Sequence, residues 1–394
     1  MKRWHWIGLG VVGLVAAALF AVWWRYGGGE PYPDLTTRPL LPDSALETAA
    51  SYREPIGNVA VSRDGRLFFT VHPEARATGP KLLEWVDGAA RPWPDAASQR
   101  LFDTPLGVVV DPLDRLWTID HGQHGTRTPR LLAFDLATGE RVHDYRFGTE
   151  TAPLGSFLQD LQVDSTGRWV YLADVSFWRR DPGIVVYDVT EGLAFRALAA
   201  HPSMLPQDWL IRTPDKPMRF FGGLATLRPG LDGLALDRRD EWLYFGAMAH
   251  DGLFRIRAAD LQDPAGDPAV LGARVERVGD KPLSDGLSID VEDRVYVTDV
   301  EHGAVHRMDP DGTRTTVIRS PRIRWADALS FGPEQTLYLA DSALADVMLM
   351  PRRHIEAAAP YHIYRFQGDV AGHAGPVQLK AVDVIRRRGF DVSP

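Results

Sequence analysis

Acidic and amide side chains recur in this sequence at the start of short apolar runs. Asn58 opens NVAVS, Gln159-Asp160 opens QDLQVD, Asp232 opens DGLALD, Asp285 opens DGLSID and Asp327 opens DALSFG, while the related LGVVVD begins at Leu106. A second apolar run follows each, and these end in His72, Asp120-His121, Asp174, His250-Asp251, Asp299 with Glu301-His302, and Asp341. Carboxylates brought close together either hold protons at raised pKa or bind a cation or a basic ligand. Imidazole adds a group that titrates near neutral pH and can act as general acid or base. A single Asp in an Asp-Gly turn has a competing use, because its side chain bonds to nearby backbone N–H groups. Convergence of several such residues is what favours a site. Asp111, Asp164, Asp237 and Asp290, at the far ends of the first runs, repeat too regularly for one site and are read as turn formers.

What would bring these residues together is a repeat. The first-run motifs begin at Gly57, Leu106, Gln159, Asp232, Asp285 and Asp327, intervals of 49, 53, 73, 53 and 42 residues. The unit is clearest in SDGLSIDVEDRVYVTDVEHGAVHRMDPDG, three Val- and Ile-rich runs punctuated by Asp/Gly turns, which is the pattern of antiparallel strands. A third run follows in LLEWVDG, RLLAFDLATG, IVVYDVTEG, LFRIRAADL, AVHRMDPDG and DVMLMPRR. Six strand-rich units near 50 residues predict one all-β domain, a six-bladed β-propeller over residues 51–394. A β-sandwich gives no reason for six similar units. The closing strand is expected either from 361–388 or from the segment before Gly57. In an antiparallel pair the start of the first strand and the end of the second share one edge, so all the residues named above are expected at one mouth of the channel.

The long interval marks an insertion at about 201–230. It is read either as a lid over the mouth, with Trp209 and Phe221 excluding water, or as a surface loop packed on its own aromatics. Trp325, beside Asp327, is an aromatic wall of the site or a core residue.

Residues 1–26 place Lys2-Arg3 before an uncharged, Trp-flanked run, the signature of a transmembrane helix that anchors the chain, with a cleaved signal peptide as the rival. Residues 27–50, rich in Pro and Gly, are expected to be an exposed linker. The body is then periplasmic or extracellular, and secreted if the N-terminus is cleaved. A net charge of −8 argues against nucleic acid as a partner, and the absence of cysteine excludes thiol chemistry and disulfides.

GNVAVSRDGRLFFTVHPEA with PKLLEWVDG and PWPD, DRLWTIDHG with PRLLAFDLATGE, LQDLQVD and GDKPLSDGLSID together resemble the Yellow / major royal jelly protein family in its bacterial branch. The likeness runs from about Ile56 to Asp341. It implies a six-bladed propeller and either dopachrome-converting activity or the binding of small amines and sterols. A broader resemblance is to the regucalcin/gluconolactonase propellers. There, channel carboxylates and amides hold a divalent metal, which implies ligand positions at Asp232 and Asp285. Asn58 stands where that family has its first-blade carboxylate, and Gln159-Asp160 where it has Asn-Asp.

The expectation is a membrane-tethered propeller that binds a small polar or aromatic molecule at its channel mouth. Asn58, Gln159, Asp160, His250, Asp327, Trp325, Trp209 and Phe221 would contact that ligand. Asp285, Asp232, His121 and His302 would act as acid and base in a dopachrome-type isomerisation. The alternatives are a lactonase in which Asp232 and Asp285 hold calcium or magnesium, and a propeller that binds or scaffolds without catalysis.

Overall fold

The computed structural model describes residues 2–368. Six four-stranded antiparallel sheets surround one axis, so the chain is a six-bladed β-propeller. Inner to outer, blade one is Ile56–Val61, Leu67–Val71, Leu82–Val86 and Ala89–Pro92; blade two is Pro105–Val110, Arg115–Asp120, Arg130–Asp135 and Arg141–Arg146. Blade three is Leu158–Val163, Trp169–Asp174, Gly183–Asp188 and Leu193–Ala197; blade four is Leu231–Leu236, Trp242–Ala247, Gly252–Arg257 and Glu276–Asp280. Blade five is Leu287–Ile289, Val295–Asp299, Ala304–Met308 and Arg314–Arg319.

Blade six closes the ring. Its strands are Ala326–Phe331, Thr336–Asp341 and Tyr361–Gln367, with Glu47–Tyr52 from the start of the domain as the outermost strand. Both expected segments therefore contribute, one strand each. The expected third strand in DVMLMPRR is not one. Left-handed backbone at Ala343 and Leu349, followed by Pro351, breaks the extension. That stretch instead forms a 3-10 turn at Leu344–Asp346 and the helix Arg352–Ala357. Residues 377–385, the other part of the expected closing segment, lie outside the described residues.

Each blade interface buries an apolar cluster from its two faces, such as Trp117, Leu161 and Leu172 between blades two and three. Another is Tyr296, Val305 and Leu339 between blades five and six. The turn formers read from the sequence behave as such. Asp111 accepts from the N–H groups of Leu113 and Arg115, and Asp290 from those of Glu292 and Arg294, closing the turn between first and second strands.

A register shift interrupts the pairing at the start of five inner strands, between Ile56 and Asn58, Pro105 and Val108, Leu158 and Asp160, Leu231 and Gly233, and Ala326 and Ala328. A bulge turns its extra residue out of the ladder. Here the residues so turned include Gln159, Asp232 and Asp327. The next position is where neighbouring inner strands touch. A Cβ on Gly233 would lie 2.6 Å from the Asp285 carbonyl, and one on Gly286 2.5 Å from the Asp327 carbonyl.

An N-terminal helix, Lys2–Tyr26, precedes the propeller, and its segment Leu9–Tyr26 is long and apolar enough to cross a membrane. The following residues are not the free linker expected. Glu30–Pro31 pairs in parallel with Trp209–Leu210, the Tyr32 hydroxyl donates to the Lys281 carbonyl, and Leu40 and Leu41 donate to Thr316 and Val317. This strap crosses the mouth side at Trp209 and Lys281 and then runs along the outer strand of blade five.

Replacing Gly286 with Ala forces the inner strands of blades five and six apart and is expected to cost about 1–3 kcal/mol. Urea unfolding of the full chain in detergent measures this, and an unchanged midpoint would contradict the close approach.

Candidate functional site

The inner-strand starts line one cavity of about 110 Å³ on the axis, walled at its polar end by Asn58, Gln159, Asp160, Asp232, Asp285 and Asp327. Its other end is apolar, with Val61, Val163 and Phe331. Asp232, Asp285 and Asp327 stand at corresponding positions of three successive blades, so their carboxyl groups are neighbours by construction.

Burial sets their charge state. Asp285 is pushed up to about 7 by burial, against two hydrogen bonds that favour its ionised form, from the Trp325 indole at 2.8 Å and from Asp232. Asp232 lies well above the usual carboxylate range, raised by burial first and then by Asp285, Asp327 and Asp160. The two environments therefore diverge: Asp232 keeps a proton and donates it, and Asp285 accepts. Asp327 is raised by burial and by Asp285. Asp160 is pushed up to about 7 by burial despite accepting from the N–H groups of Leu234 and Leu161. Asp232 Oδ1 and Asp327 Oδ2 are buried with no hydrogen-bond partner among the described residues.

Two further neighbours bear on the cluster: His72, expected at the mouth as a second-strand end but given no role there, and Lys281, which no sequence motif singles out. His72 Nε2 is 3.8 Å from Asp327 Oδ2. Its Nδ1 accepts from the Glu74 N–H, which fixes the proton on Nε2, and burial lowers its pKa to about 4. It is a neutral donor facing the cluster. Lys281 is fully buried, donates to the Pro282 carbonyl, and is brought down to about 7 by burial, opposed by the acidic groups of Asp232, Asp251 and Asp299. The Lys three residues before SDG was the available signal. Nothing in its spacing distinguishes it from a surface lysine.

The other expected site residues lie elsewhere. His302 bonds through Nδ1 to Asp299 at 3.0 Å and reaches Asp34 of the strap at 3.6 Å, in a separate pocket of about 630 Å³ with Glu301 and Arg212. Its hydrogen bond to Asp299 raises its pKa, and the ring ties Asp299 to Asp34 of the strap. His121 accepts the His124 N–H on Nδ1 and packs its ring edge on Phe157. Burial and the neighbouring His124 and His72 hold it neutral, in a pocket of about 490 Å³ between blades one and two. His250 accepts the Gly252 N–H and lies against Phe254, its pKa lowered to about 4 by burial. Trp209 donates to Gln207 and packs on Tyr32 of the strap, and Phe221 is exposed on the outside of the insertion. Asp120, Asp174 and Asp341, at second-strand ends, accept backbone N–H groups of the chain entering their own blades, from Thr104, Phe157 and Trp325. That spends their charge on the fold. Second-strand ends do reach the mouth side, but the cavity on the axis is lined by the first-strand starts, and of the second-strand ends named above His72 is the one that approaches the carboxyl cluster.

The insertion packs on the mouth-side connections. Ile211, Met218 and Leu227 are buried in one cluster with Leu283, Val300 and Trp325. Trp325, whose indole bonds to Asp285, belongs to the same buried cluster as this insertion.

A divalent cation would find oxygen ligands of the right kind here, including two unpartnered carboxylate oxygens. The geometry is incomplete. One Asp285 oxygen is taken by Trp325, both Asp160 oxygens accept backbone N–H groups, and no three His, Asp or Glu side chains among the described residues stand as a metal-holding group.

Fold and site together define a six-bladed propeller with an acidic, proton-sharing channel mouth. The solved structures it resembles include a gluconolactonase from Xanthomonas campestris, 16% identical over 86% of this chain and 97% of that one with a TM-score of 0.51, and a luciferin-regenerating enzyme, 11% identical over 84% and 97% with a TM-score of 0.53. At these identities the likeness concerns the fold. The family model "Major royal jelly protein" matches residues 104–319, more than half of the sequence, and the chain belongs to that family. Major royal jelly proteins 3 and 2 of Apis mellifera are each 25% identical to it, over 44% and 43% of this chain and 33% and 38% of their own lengths. The chain thus spans only about a third of the length of the relatives it matches.

Asp285 binds a proton in the folded state up to about pH 7 and in the unfolded chain only up to about pH 4, so stability falls as pH rises through this window and the loss is complete above it. Asp285→Asn removes that penalty. Relative to the parent it should gain on the order of 1–3 kcal/mol between pH 5 and pH 8. Urea unfolding at both pH values measures the gain, and a difference independent of pH would mean an ordinary, ionised carboxylate.

Proposed function

We propose that the protein is an exported, membrane-tethered propeller that binds a small polar, aromatic or cationic molecule at its channel mouth and moves a proton on it, an isomerisation of the dopachrome type. The Asp232–Asp285 pair carries this reading. A buried acid that keeps its proton beside a second carboxyl raised to about 7, whose ionised form an indole N–H favours, is an acid–base couple, in which one group delivers a proton while the other removes one. The couple titrates as a unit. His72 supplies a neutral N–H donor at its edge for a ligand oxygen. His121 and His302 have no part in it.

The unpartnered Asp232 and Asp327 oxygens favour a second reading, a bound calcium or magnesium ion that would polarise a lactone carbonyl. If metal analysis of the purified protein finds no divalent ion and added calcium leaves its melting temperature unchanged, that reading is wrong. A protein that turns over neither substrate class but melts higher with a small amine is a binding propeller.

For the isomerase, Asp285→Asn and Asp232→Asn should each lower kcat on a dopachrome-type substrate by about 10²-fold or more. Trp325→Phe removes the bond that favours ionised Asp285, so the acid limb of the pH–rate profile should move to higher pH. Undiminished turnover in Asp285→Asn would refute the assignment.

A further inference from the structure

We propose that the channel-mouth face of this propeller docks on the surface of an anionic phospholipid bilayer, so that ligands enter the site from the membrane–water interface. The proposal rests on reading Leu9–Tyr26 as a membrane span.

The end of that helix is fastened to the mouth face without slack. The Arg25 guanidinium donates to the Arg179 carbonyl and the Tyr26 hydroxyl to the Trp178 carbonyl, both at 2.9 Å, and the Tyr26 ring stacks on Phe177. Arg228 donates to the Gly27 carbonyl and the Thr226 hydroxyl to that of Gly28. Phe177 to Arg179 belong to the connection that follows the second strand of blade three, and Thr226 and Arg228 to the insertion. Both lie on the mouth side. A span that leaves the bilayer at Tyr26 brings this face to the headgroups at once, with Trp23 and Trp24 one turn earlier at the depth where interfacial aromatics settle.

The surface beside the helix end suits that neighbour. Leu154, Trp178 and Phe221 are 72%, 52% and 69% exposed on three mouth-side segments around it. Gly155, next to Leu154, packs on the Arg179 stem, and Arg219, near Phe221, donates to the Gly29 carbonyl. Between them lie Arg25, Arg179, Arg180 and Arg228. Asp181 and Asp174 lie against Arg179 and Asp208 against Arg228, while Arg25 and Arg180 have no carboxylate at ion-pair distance among the described residues, so positive charge is in excess. Arg180 lies over the Tyr26 ring at 5.5 Å, its pKa lowered by burial and by repulsion from Arg228 and Arg25. Phosphate headgroups would relieve that repulsion while the apolar side chains enter the acyl boundary.

The sequence has no cysteine, which makes single-site labelling direct. Leu154→Cys and Phe221→Cys, and as a control Leu113→Cys in the turn on the opposite face, would each carry a nitroxide in the full chain. The chains are reconstituted in nanodiscs of phosphatidylcholine with phosphatidylglycerol, and only variants that keep the parent's melting transition are compared. Docking predicts an oxygen-to-nickel-chelate accessibility ratio at 154 and 221 at least ~3-fold that at 113, falling when phosphatidylglycerol is omitted. Equal ratios at the three positions in anionic discs overturn the docking. Recovery of the expressed protein as a shortened soluble chain overturns the span on which it rests. Neither outcome depends on whether the channel catalyses a reaction.

Discussion

Six inner strands must pass close to one axis, and that crowding governs the rest of the structure. The strands touch at Gly233 and Gly286, where any side chain would strike a neighbouring carbonyl. The bulges beside these contacts turn Asp232 and Asp327 out of their ladders, and Asp285 stands at the same level of blade five. Three carboxyl groups are thereby held together in a buried place where they cannot all be charged. The protein meets this constraint by asymmetry. Trp325 favours the ionised form of Asp285, while Asp232 is left to keep its proton. The site's chemistry thus follows from the geometry of ring closure together with one indole placed behind it.

Much of this was legible in the sequence, because strand periodicity and Asp/Gly turns are local signals. They fixed the number of blades and the inner-strand starts, and so put Asn58, Asp160, Asp232, Asp285 and Asp327 on one cavity. The histidines misled because sharing the mouth side of a blade does not mean facing the axis. His302 follows a second strand, and its side chain turns to Asp299 and the strap. His121 is locked by the backbone of its own loop. Their desolvation was also invisible: an exposed imidazole titrates near neutrality, but buried His72, His121 and His250 stay neutral donors. Lys281 was unreadable for the opposite reason, since its importance comes from burial near Asp232, which no local pattern encodes. The expected strand in DVMLMPRR failed because apolar composition outweighed the turn signal of Pro351. The strap at 30–41 was missed because Pro-rich composition describes flexibility in isolation and says nothing of edges elsewhere that accept its hydrogen bonds.

The strap and the insertion link the channel mouth to the N-terminal helix. The insertion shares a buried cluster with Trp325 and holds the exit of the N-terminal helix through Arg228, Thr226 and the parallel pairing at Trp209–Leu210. Movement of the insertion would therefore be felt both at the indole that orients Asp285 and at the end of the helix.

The central claim is that the mouth carboxyls share protons at neutral pH. Infrared difference spectroscopy between the parent and Asp232→Asn, in H₂O and D₂O at pH 7, reads this directly. The account predicts a protonated carboxyl carbonyl band in the parent that shifts in D₂O and is lost in the variant. A parent spectrum with only ionised carboxylate bands from these residues would contradict it.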